Sequence, residues 1–241
     1  MVNDMKEAMR IASFELQASW AGFIYTIIFF AIYTLLIILL TETANNIGIY
    51  DLLFIVLFTF APIWMKPKVL QDQVIRGDLW ISPILHNQMQ LPLPKEVIAK
   101  SRLIIYFVYS LPAQVLVLIC MYLFSTELQN LLAPSNYIAF SITWLSFGIF
   151  FGSAIVTYDT GMYIVPNKKL AFILSGLLLV FIIFGIVIFP WIFSYGIVHF
   201  TAIAVQKWPI PIVIFSILIA YFGLHYWKYK MIKNMETIDY Q

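Results

Sequence analysis

Long uninterrupted apolar runs are the feature of this sequence that most restricts its fold. Six runs match, or nearly match, the roughly 20 apolar residues that cross about 30 Å of hydrocarbon. They lie at about 20–40, 49–65, 102–124, 137–157, 170–190 and 209–227. Because lipid offers the backbone no water to bond, such runs are expected to form helices. The sequence therefore predicts an all-α membrane protein with six transmembrane helices in a single transmembrane domain, residues 1–241.

Composition supports this class and limits what else the chain contains. Hydrophobic residues make up 62% of the sequence and charged residues only 11%, against about 25% charged residues in soluble proteins. The apolar runs and their connections use almost the whole length, so we expect no second folded domain. A single cysteine, Cys120, excludes an intrachain disulfide.

Residues 1–19 precede the first run and predict an interfacial helix. Apolar side chains recur there at roughly helical spacing with charged side chains between them, as is typical of helices that lie along a membrane surface. The apolar positions are Met5, Met9, Ile11, Ala12, Phe14 and Leu16. Because the following run is longer than the apolar part of a signal peptide, we expect the amino terminus to stay attached. An ordinary solvated helix is the alternative.

The basic residues predict the orientation in the membrane. With six spans and the amino terminus inside, only Lys207 of the 14 Lys and Arg residues lies on the outer side. The others lie on the inner side: Lys6, Arg10, Lys66, Lys68, Arg76, Lys95, Lys100, Arg102, Lys168, Lys169, Lys228, Lys230 and Lys233. Inner connections of membrane proteins carry an excess of Lys and Arg, so both termini are predicted to be cytoplasmic.

The outer segment at 191–208 is too apolar for a water-exposed loop and too short to cross the bilayer twice. We interpret it as a re-entrant or interfacial helix from Trp191 to Val205, with Pro190 marking the break before it. The alternative is a sixth span that begins early and bends at Pro209 and Pro211.

Two glycines in the fourth run, Gly148 and Gly152, have the small-xxx-small spacing that lets membrane helices approach closely.

The ionisable residues do not form a recognisable catalytic or metal site. His86, His199 and His225 are far apart and lack the spacing of a zinc-binding helix. Asp51 and Asp159 fall at the ends of runs, where we expect water or headgroups to solvate them. No glycine-rich phosphate-binding loop is present. The sequence thus predicts a chain that is not an enzyme and has no cofactor of its own.

The longest hydrophilic connection, residues 66–101, predicts an amphipathic helix from Val69 to Trp80. Two i, i+4 apolar pairs with charges around them favour a helix, which Ser82-Pro83 is expected to end. The positions that carry this pattern are Leu70, Val74, Ile75, Arg76, Asp78, Leu79 and Trp80.

A second helix is predicted to run from Lys95 unbroken into the third span. Pro92 and Pro94 stiffen the segment before it, and a proline suits the first turn of a helix. We expect Lys95, Lys100 and Arg102 to lie level with anionic headgroups. A helix, a rigid elbow and a continuous span make a lever that passes motion from a cytoplasmic partner to the membrane. The alternative is a basic loop that only fixes topology.

These features together resemble the membrane subunits of ABC-2-type exporters. The stretch LPLPKEVIAKSR, from Leu91 to Arg102, is similar to the family pattern L-P-x-x-[KR]-x-[EIV]-x-x-x-[KR], with Lys100 close to its last position. The interfacial helix, the six spans and the re-entrant element also fit that family over nearly the whole chain. Within it, the chain looks most like the small permeases that export phenol-soluble modulins from staphylococci.

The resemblance implies partners and candidate sites. It implies two permease copies, as a homodimer or alternatively a heterodimer, with two cytoplasmic ATPase subunits that hold ATP and Mg²⁺, all in a bacterial cell membrane without nucleic acid. The helix around Val69 to Trp80 would dock on the ATPase. The first and fifth spans would line the substrate path among membrane lipids, with the aromatic side chains of Tyr25, Phe29, Tyr33, Phe181 and Phe184.

The expected activity is ATP-driven export of amphipathic or hydrophobic peptides. A permease of the same family for a lipid, a drug or a bacteriocin, with self-protection as the outcome, is one alternative. A membrane scaffold that transports nothing is another.

Overall fold

The computed structural model describes residues 2–18, 20–42, 47–59, 73–76, 79–158, 160, 162–163 and 184–238, with the isolated positions 177 and 180. The helices are α1 (Val2–Ala18), α2 (Trp20–Glu42), α3 (Ile47–Thr59), α4 (Pro83–Met89), α5 (Lys95–Phe124), α6 (Thr126–Leu131), α7 (Pro134–Tyr158), α8 (Phe184–Phe193), α9 (Ile197–Lys207) and α10 (Pro209–Thr237). Three short strands, β1 (Gln73–Arg76), β2 (Leu79–Ile81) and β3 (Met162–Tyr163), form one small antiparallel sheet.

The described part of the chain is a predominantly helical, membrane-embedded protein. Four helices are long and apolar enough to cross a membrane, and the bent pair of α8 and α9 makes five at most. These four, at the start of α2 and in α5, α7 and α10, confirm the first, third, fourth and sixth predicted spans. The described part of the second predicted span is α3, which has 13 residues and a length of about 20 Å at 1.5 Å per residue. The rest of the second predicted span and most of the fifth lie outside the described residues.

Helix α7 packs closely against α5 and α10, and glycines make this approach possible. A Cβ atom at Gly152 would lie 1.7 Å from the hydroxyl of Tyr106 on α5. On α10, a Cβ atom at Gly223 would lie 2.2 Å from the ring of Phe150 on α7. Neither position has room for a larger residue. The close packing predicted from Gly148 and Gly152 is therefore confirmed.

An aromatic cluster joins α3 to α7 and forms the centre of the core. Phe54 and Phe58 of α3 pack on Trp144 of α7 with ring centroids 4.6 and 5.6 Å away. Phe30 and Ile37 of α2 are fully buried in the same cluster. Burial of a large side chain stabilises a fold by roughly 1.5–3 kcal/mol, and α3 is therefore held mainly by its packing.

The coupling helix predicted from Val69 to Trp80 is wrong for the residues that the structure describes there. Val74 pairs with Trp80 and Arg76 with Leu79 in an antiparallel ladder with an irregularity between them. The segment is rich in β-branched and aromatic residues, which favour strands, whereas Gly77 in its middle disfavours a helix by about 1 kcal/mol. A Gly-Asp pair between the strands is also typical of a two-residue hairpin connection.

Two prolines of this connection, Pro83 and Pro94, stand at the beginnings of helices. Strand β2 ends at Ile81, and α4 starts at Pro83 with Ser82 as its N-cap residue, so Ser82-Pro83 does not terminate a helix as predicted. Pro94 is the N-cap residue of α5, one position before the predicted first turn. The predicted unbroken run from Lys95 into the third span is confirmed, because α5 continues to Phe124.

The segment before α10 is helical, but its break lies further along than predicted. Helix α8 passes through Pro190 and ends at Phe193, and α9 follows at an angle of 48°. The break at Pro190 is therefore wrong. Membrane helices tolerate proline where neighbouring groups satisfy the freed backbone, and here the chain turns at Ser194, whose φ is 60°.

Candidate functional site

A buried polar cluster joins three helices at the beginning of α5. One guanidinium nitrogen of Arg102, Nη2, donates to Glu15 Oε1 of α1 at 2.5 Å and to Gln88 Oε1 of α4 at 2.7 Å. The amide nitrogen of Gln88 donates to the same Glu15 oxygen at 2.6 Å. Each side chain thus bonds the other two. We call these three residues the Arg102 cluster.

The Arg102 cluster is shielded from solvent, which makes its pairing necessary. The side chains of Arg102 and Glu15 are only 5% and 3% exposed. A buried charge without a partner is costly, and the low dielectric of the interior strengthens the interaction of a paired one. The three helices are therefore bound to one another at this point by groups that cannot easily separate.

Small side chains on α1 bring Glu15 within reach of α5. Ala8 and Ala12, on the same face of α1 as Glu15, are fully buried. Ala12 packs in a small apolar cluster with Ile105 and Tyr109 of α5. The exposed side of α1 carries Met5, Met9 and Phe14, three of the six apolar positions expected to meet the membrane surface, whereas Ala12 of that set faces α5.

A rim of more exposed ion pairs surrounds the same end of α5. Lys100 lies 3.5 Å from Asp4 of α1 and 3.2 Å from Glu96 one turn earlier. Lys228 of α10 lies 3.3 Å from the same Glu96 oxygen. The rim thus adds α10 to the helices that meet here. Lys95, Lys100 and Arg102 were predicted to lie level with lipid headgroups. Instead, Lys100 is paired with carboxylates at the rim and Arg102 is buried.

An apolar layer fastens the strand pair to the same place. Ile81, the last residue of β2, and Leu85 of α4 are fully buried. They belong to one cluster with Ile98 of α5 and with Met231 and Met235 of α10. The hairpin and α4 are therefore packed on two membrane-crossing helices at once.

The structure places the predicted coupling residues next to this layer. Val74, Ile75 and Arg76 lie in β1, and Leu79 and Trp80 lie in β2, whose next residue is the buried Ile81.

Leu70 and Asp78 of the predicted coupling set lie outside the described residues. Because the other five residues lie in β1 and β2, the strand pair replaces the predicted helix as the element that leads into α4 and α5.

Of the predicted substrate-path residues that the structure describes, two are exposed and two face the core. Tyr25 is exposed on α2, and Phe184 is exposed on α8. Phe29 and Tyr33 turn towards the core with ring centroids 5.6 Å apart, and the Tyr33 hydroxyl donates to the carbonyl of Leu53 in α3 at 3.1 Å. Phe181 lies outside the described residues.

A second buried carboxylate lies at the other end of the bundle. Asp51 of α3 is fully buried and accepts hydrogen bonds from the backbone N–H groups of Ile197 and Val198, the latter at 3.0 Å. These are the first N–H groups of α9, which have no acceptor within their own helix. The prediction that water or headgroups solvate Asp51 is wrong, and Asp159 lies outside the described residues.

Sequence reasoning missed Glu15, Gln88, Arg102 and the capping role of Asp51. Glu15 and Arg102 are 87 positions apart, so no local spacing connects them. The sequence did contain one signal. Both residues lie close to the beginning of an apolar run, which places their opposite charges at a similar depth in the membrane.

Known proteins add no assignment. No protein-family model, curated protein or solved structure matches the chain. Within the described residues, no group of three or more His, Cys, Asp or Glu side chains is arranged to hold a metal ion.

Proposed function

We propose that the chain is the transmembrane subunit of an ATP-binding-cassette exporter of the ABC-2 type, which moves amphipathic or hydrophobic peptides out of a bacterial cell. One observation carries the proposal: a small strand pair, α4 and α1 are all fastened to the first turns of one long membrane-crossing helix, α5. Such an arrangement suits a subunit that receives motion from a separate motor.

The fastening is suited to transmitting force. Ile81 and Leu85 share a packed layer with Ile98 and Met231, so displacement of the strand pair acts on α5 and α10 together. Helix α5 continues for 30 residues, with Pro112 in its interior, and is about 45 Å long at 1.5 Å per residue. Movement at its first turns is therefore carried to the opposite membrane surface.

The motor in this proposal is a cytoplasmic ATPase that binds at β1 and β2. The ATPase holds ATP and Mg²⁺, and the strand pair is the proposed docking element in place of the expected coupling helix. Both termini and the Arg102 cluster then lie on the cytoplasmic side, as the distribution of basic residues predicts.

The exposed face of α2 is the proposed contact with a second permease copy and with the cargo. Tyr25, Ile28 and Ile32 on this face are between 50% and 69% exposed. An aromatic and aliphatic surface at the membrane suits an amphipathic peptide, which presents an apolar face along one side of a helix.

Co-purification with an ATPase assay tests the proposal. The tagged chain is isolated in mild detergent from its native host, and ATP hydrolysis is measured with and without an amphipathic α-helical peptide. We expect a stoichiometric nucleotide-binding protein whose hydrolysis rate responds to the peptide. Absence of any ATPase, with the cellular function intact, would favour a scaffold that transports nothing.

A charge-reversal variant identifies the docking element. Arg76→Glu combined with Asp78→Lys reverses the charge of the last residue of β1 and of the residue two positions later in the sequence while keeping the net charge. We expect this variant to reach the membrane but to lose the bound ATPase and peptide efflux. The matched control, Lys207→Gln on α9, removes a base at the other end of the bundle and should keep both. Retention of both by the double variant would contradict docking at the strand pair.

A further inference from the structure

An apolar groove runs along the outer face of the bundle between α7 and α10. It has a volume of about 490 Å³, within the range of about 300–1,000 Å³ that is usual for small-molecule sites. Its walls are almost entirely hydrocarbon: Phe150, Phe215, Leu218, Ile219, Phe222, Gly223 and Tyr226. Gly223 lets the ring of Phe150 lie against the backbone of α10, since a Cβ atom there would meet that ring.

The same face of α10 continues from the groove to two lysines. Tyr226 ends the apolar lining, and Lys230 and Lys233 follow it by four and seven residues, spacings that share one helix face. At 1.5 Å per residue they lie about 6 and 10 Å beyond Tyr226. The ammonium of Lys230 is held over the ring of Trp227, 5.1 Å from its centroid. Its three N–H donors are not consumed by that contact.

We propose that this groove binds one anionic phospholipid. An acyl chain occupies the apolar groove, and the phosphate is held by Lys230 and Lys233. Tyr226, which is 57% exposed, offers its hydroxyl at the level between chain and headgroup. The groups along α10, from hydrocarbon through an amphipathic ring to cations, are complementary in the same order to the acyl chain, the interfacial region and the anionic headgroup of a phospholipid.

Charge decides in favour of an anionic lipid over a second copy of the chain. If two copies packed along this face of α10 about a two-fold axis parallel to the helix, their lysine pairs would lie at the same level and repel each other. An anionic headgroup neutralises both lysines. Glu236 lies on the same side one turn further out, and its carboxylate limits the headgroup to the region between Tyr226 and Lys233.

Native mass spectrometry of the purified full chain tests the proposal. The detergent-solubilised protein is titrated with phosphatidylglycerol and, separately, with phosphatidylcholine of the same acyl chains. We expect one phosphatidylglycerol molecule per chain to be retained at least about tenfold more strongly than phosphatidylcholine, equivalent to about 1.4 kcal/mol. Glycerol phosphate, which has no acyl chains, should not bind.

Two pairs of variants separate the headgroup from the chain. Lys230→Gln with Lys233→Gln should abolish the preference for phosphatidylglycerol, whereas Lys207→Gln at the other end should keep it. Ile219→Trp fills the groove and should reduce retention of both lipids, whereas Ile217→Trp, exposed on α10 but outside the groove, should not.

The outcomes that overturn the proposal are distinct from failure of the exporter proposal, since no ATPase or transport is measured. Equal retention of phosphatidylglycerol by the double lysine variant would remove the headgroup site. Loss of a dimer mass in Ile219→Trp, with lipid retention unchanged, would instead assign the groove to a second copy.

Discussion

Two buried carboxylates, at opposite ends of the bundle, are stabilised in different ways. Glu15 is paired with a guanidinium and an amide from two other helices. Asp51 accepts two backbone N–H groups at the first turn of α9. One carboxylate therefore depends on side chains of separate elements, and the other depends on the main chain of a single helix.

We call the Arg102 cluster the joint, because it connects three helices, and the contact of Asp51 with the first turn of α9 the cap. The Arg102 cluster exists only while α1, α4 and α5 keep their relative positions, so it reports and resists movement between them. The Asp51 contact satisfies orphan donors of α9 and fixes where that helix begins. If the proposed motor acts at the end of the bundle with the strand pair, movement is transmitted at the Arg102 cluster, while Asp51 keeps α3 and the start of α9 together at the other end.

Removing the arginine of the joint is expected to have the largest effect. Arg102→Met leaves Glu15 buried without its charge partner, and breaking a buried pair in this way costs about 3–5 kcal/mol. We expect the free energy of unfolding in detergent to fall by that amount. The control, Lys95→Met, replaces another basic side chain two turns earlier on α5. It should lower the free energy of unfolding by less than about 1 kcal/mol.

A second variant distinguishes loss of the pair from loss of packing. Glu15→Gln combined with Arg102→Met removes both charges, so most of the lost stability should return. If the single and double variants are equally destabilised, the cluster acts through the size of its side chains and not through its charges.

The long membrane-crossing helices were predictable because their signal is continuous. Helices α2, α5, α7 and α10 each carry an apolar stretch long enough to span the bilayer, and no local feature competes with it. The strand pair was not predicted, because Leu70/Val74 and Ile75/Leu79 satisfy helical spacing while Val74, Ile75 and Trp80 favour a strand. Over a segment so short, periodicity alone does not choose between the two.

The Arg102 cluster and the Asp51 cap are long-range features. Asp51 and Ile197 are 146 positions apart, and whether a charge near a helix end meets water or another helix depends on packing that a pattern does not contain. The expectation of headgroup contact for Arg102 assumed an exposed α5. The small residues Ala8 and Ala12 allow α1 to cover it instead.

Removing the cap is expected to have an intermediate and more local effect. Asp51→Ala removes the acceptor for two N–H groups of α9, and loss of a side-chain acceptor at the first turn of a helix costs about 0.5–2 kcal/mol. Hydrogen exchange at Ile197 and Val198 should accelerate while α1 and α4 stay protected. Asp51→Asn keeps one acceptor oxygen and should lose less. Faster exchange in α1 as well would show that the two ends are coupled, which would break the contrast between joint and cap.

The rim at the joint is expected to contribute least. Lys228→Gln removes one of two ammonium groups beside Glu96, whose side chain is 47% exposed. Exposed pairs contribute about 0.2–1 kcal/mol and are screened by salt, so the loss should be small in dilute buffer and should vanish at about 1 M salt. Unfolding at low and high salt measures it, with Arg102→Met as the comparison, because burial protects that pair from screening. If both variants respond equally to salt, water reaches the Arg102 cluster and the joint is not a dry contact.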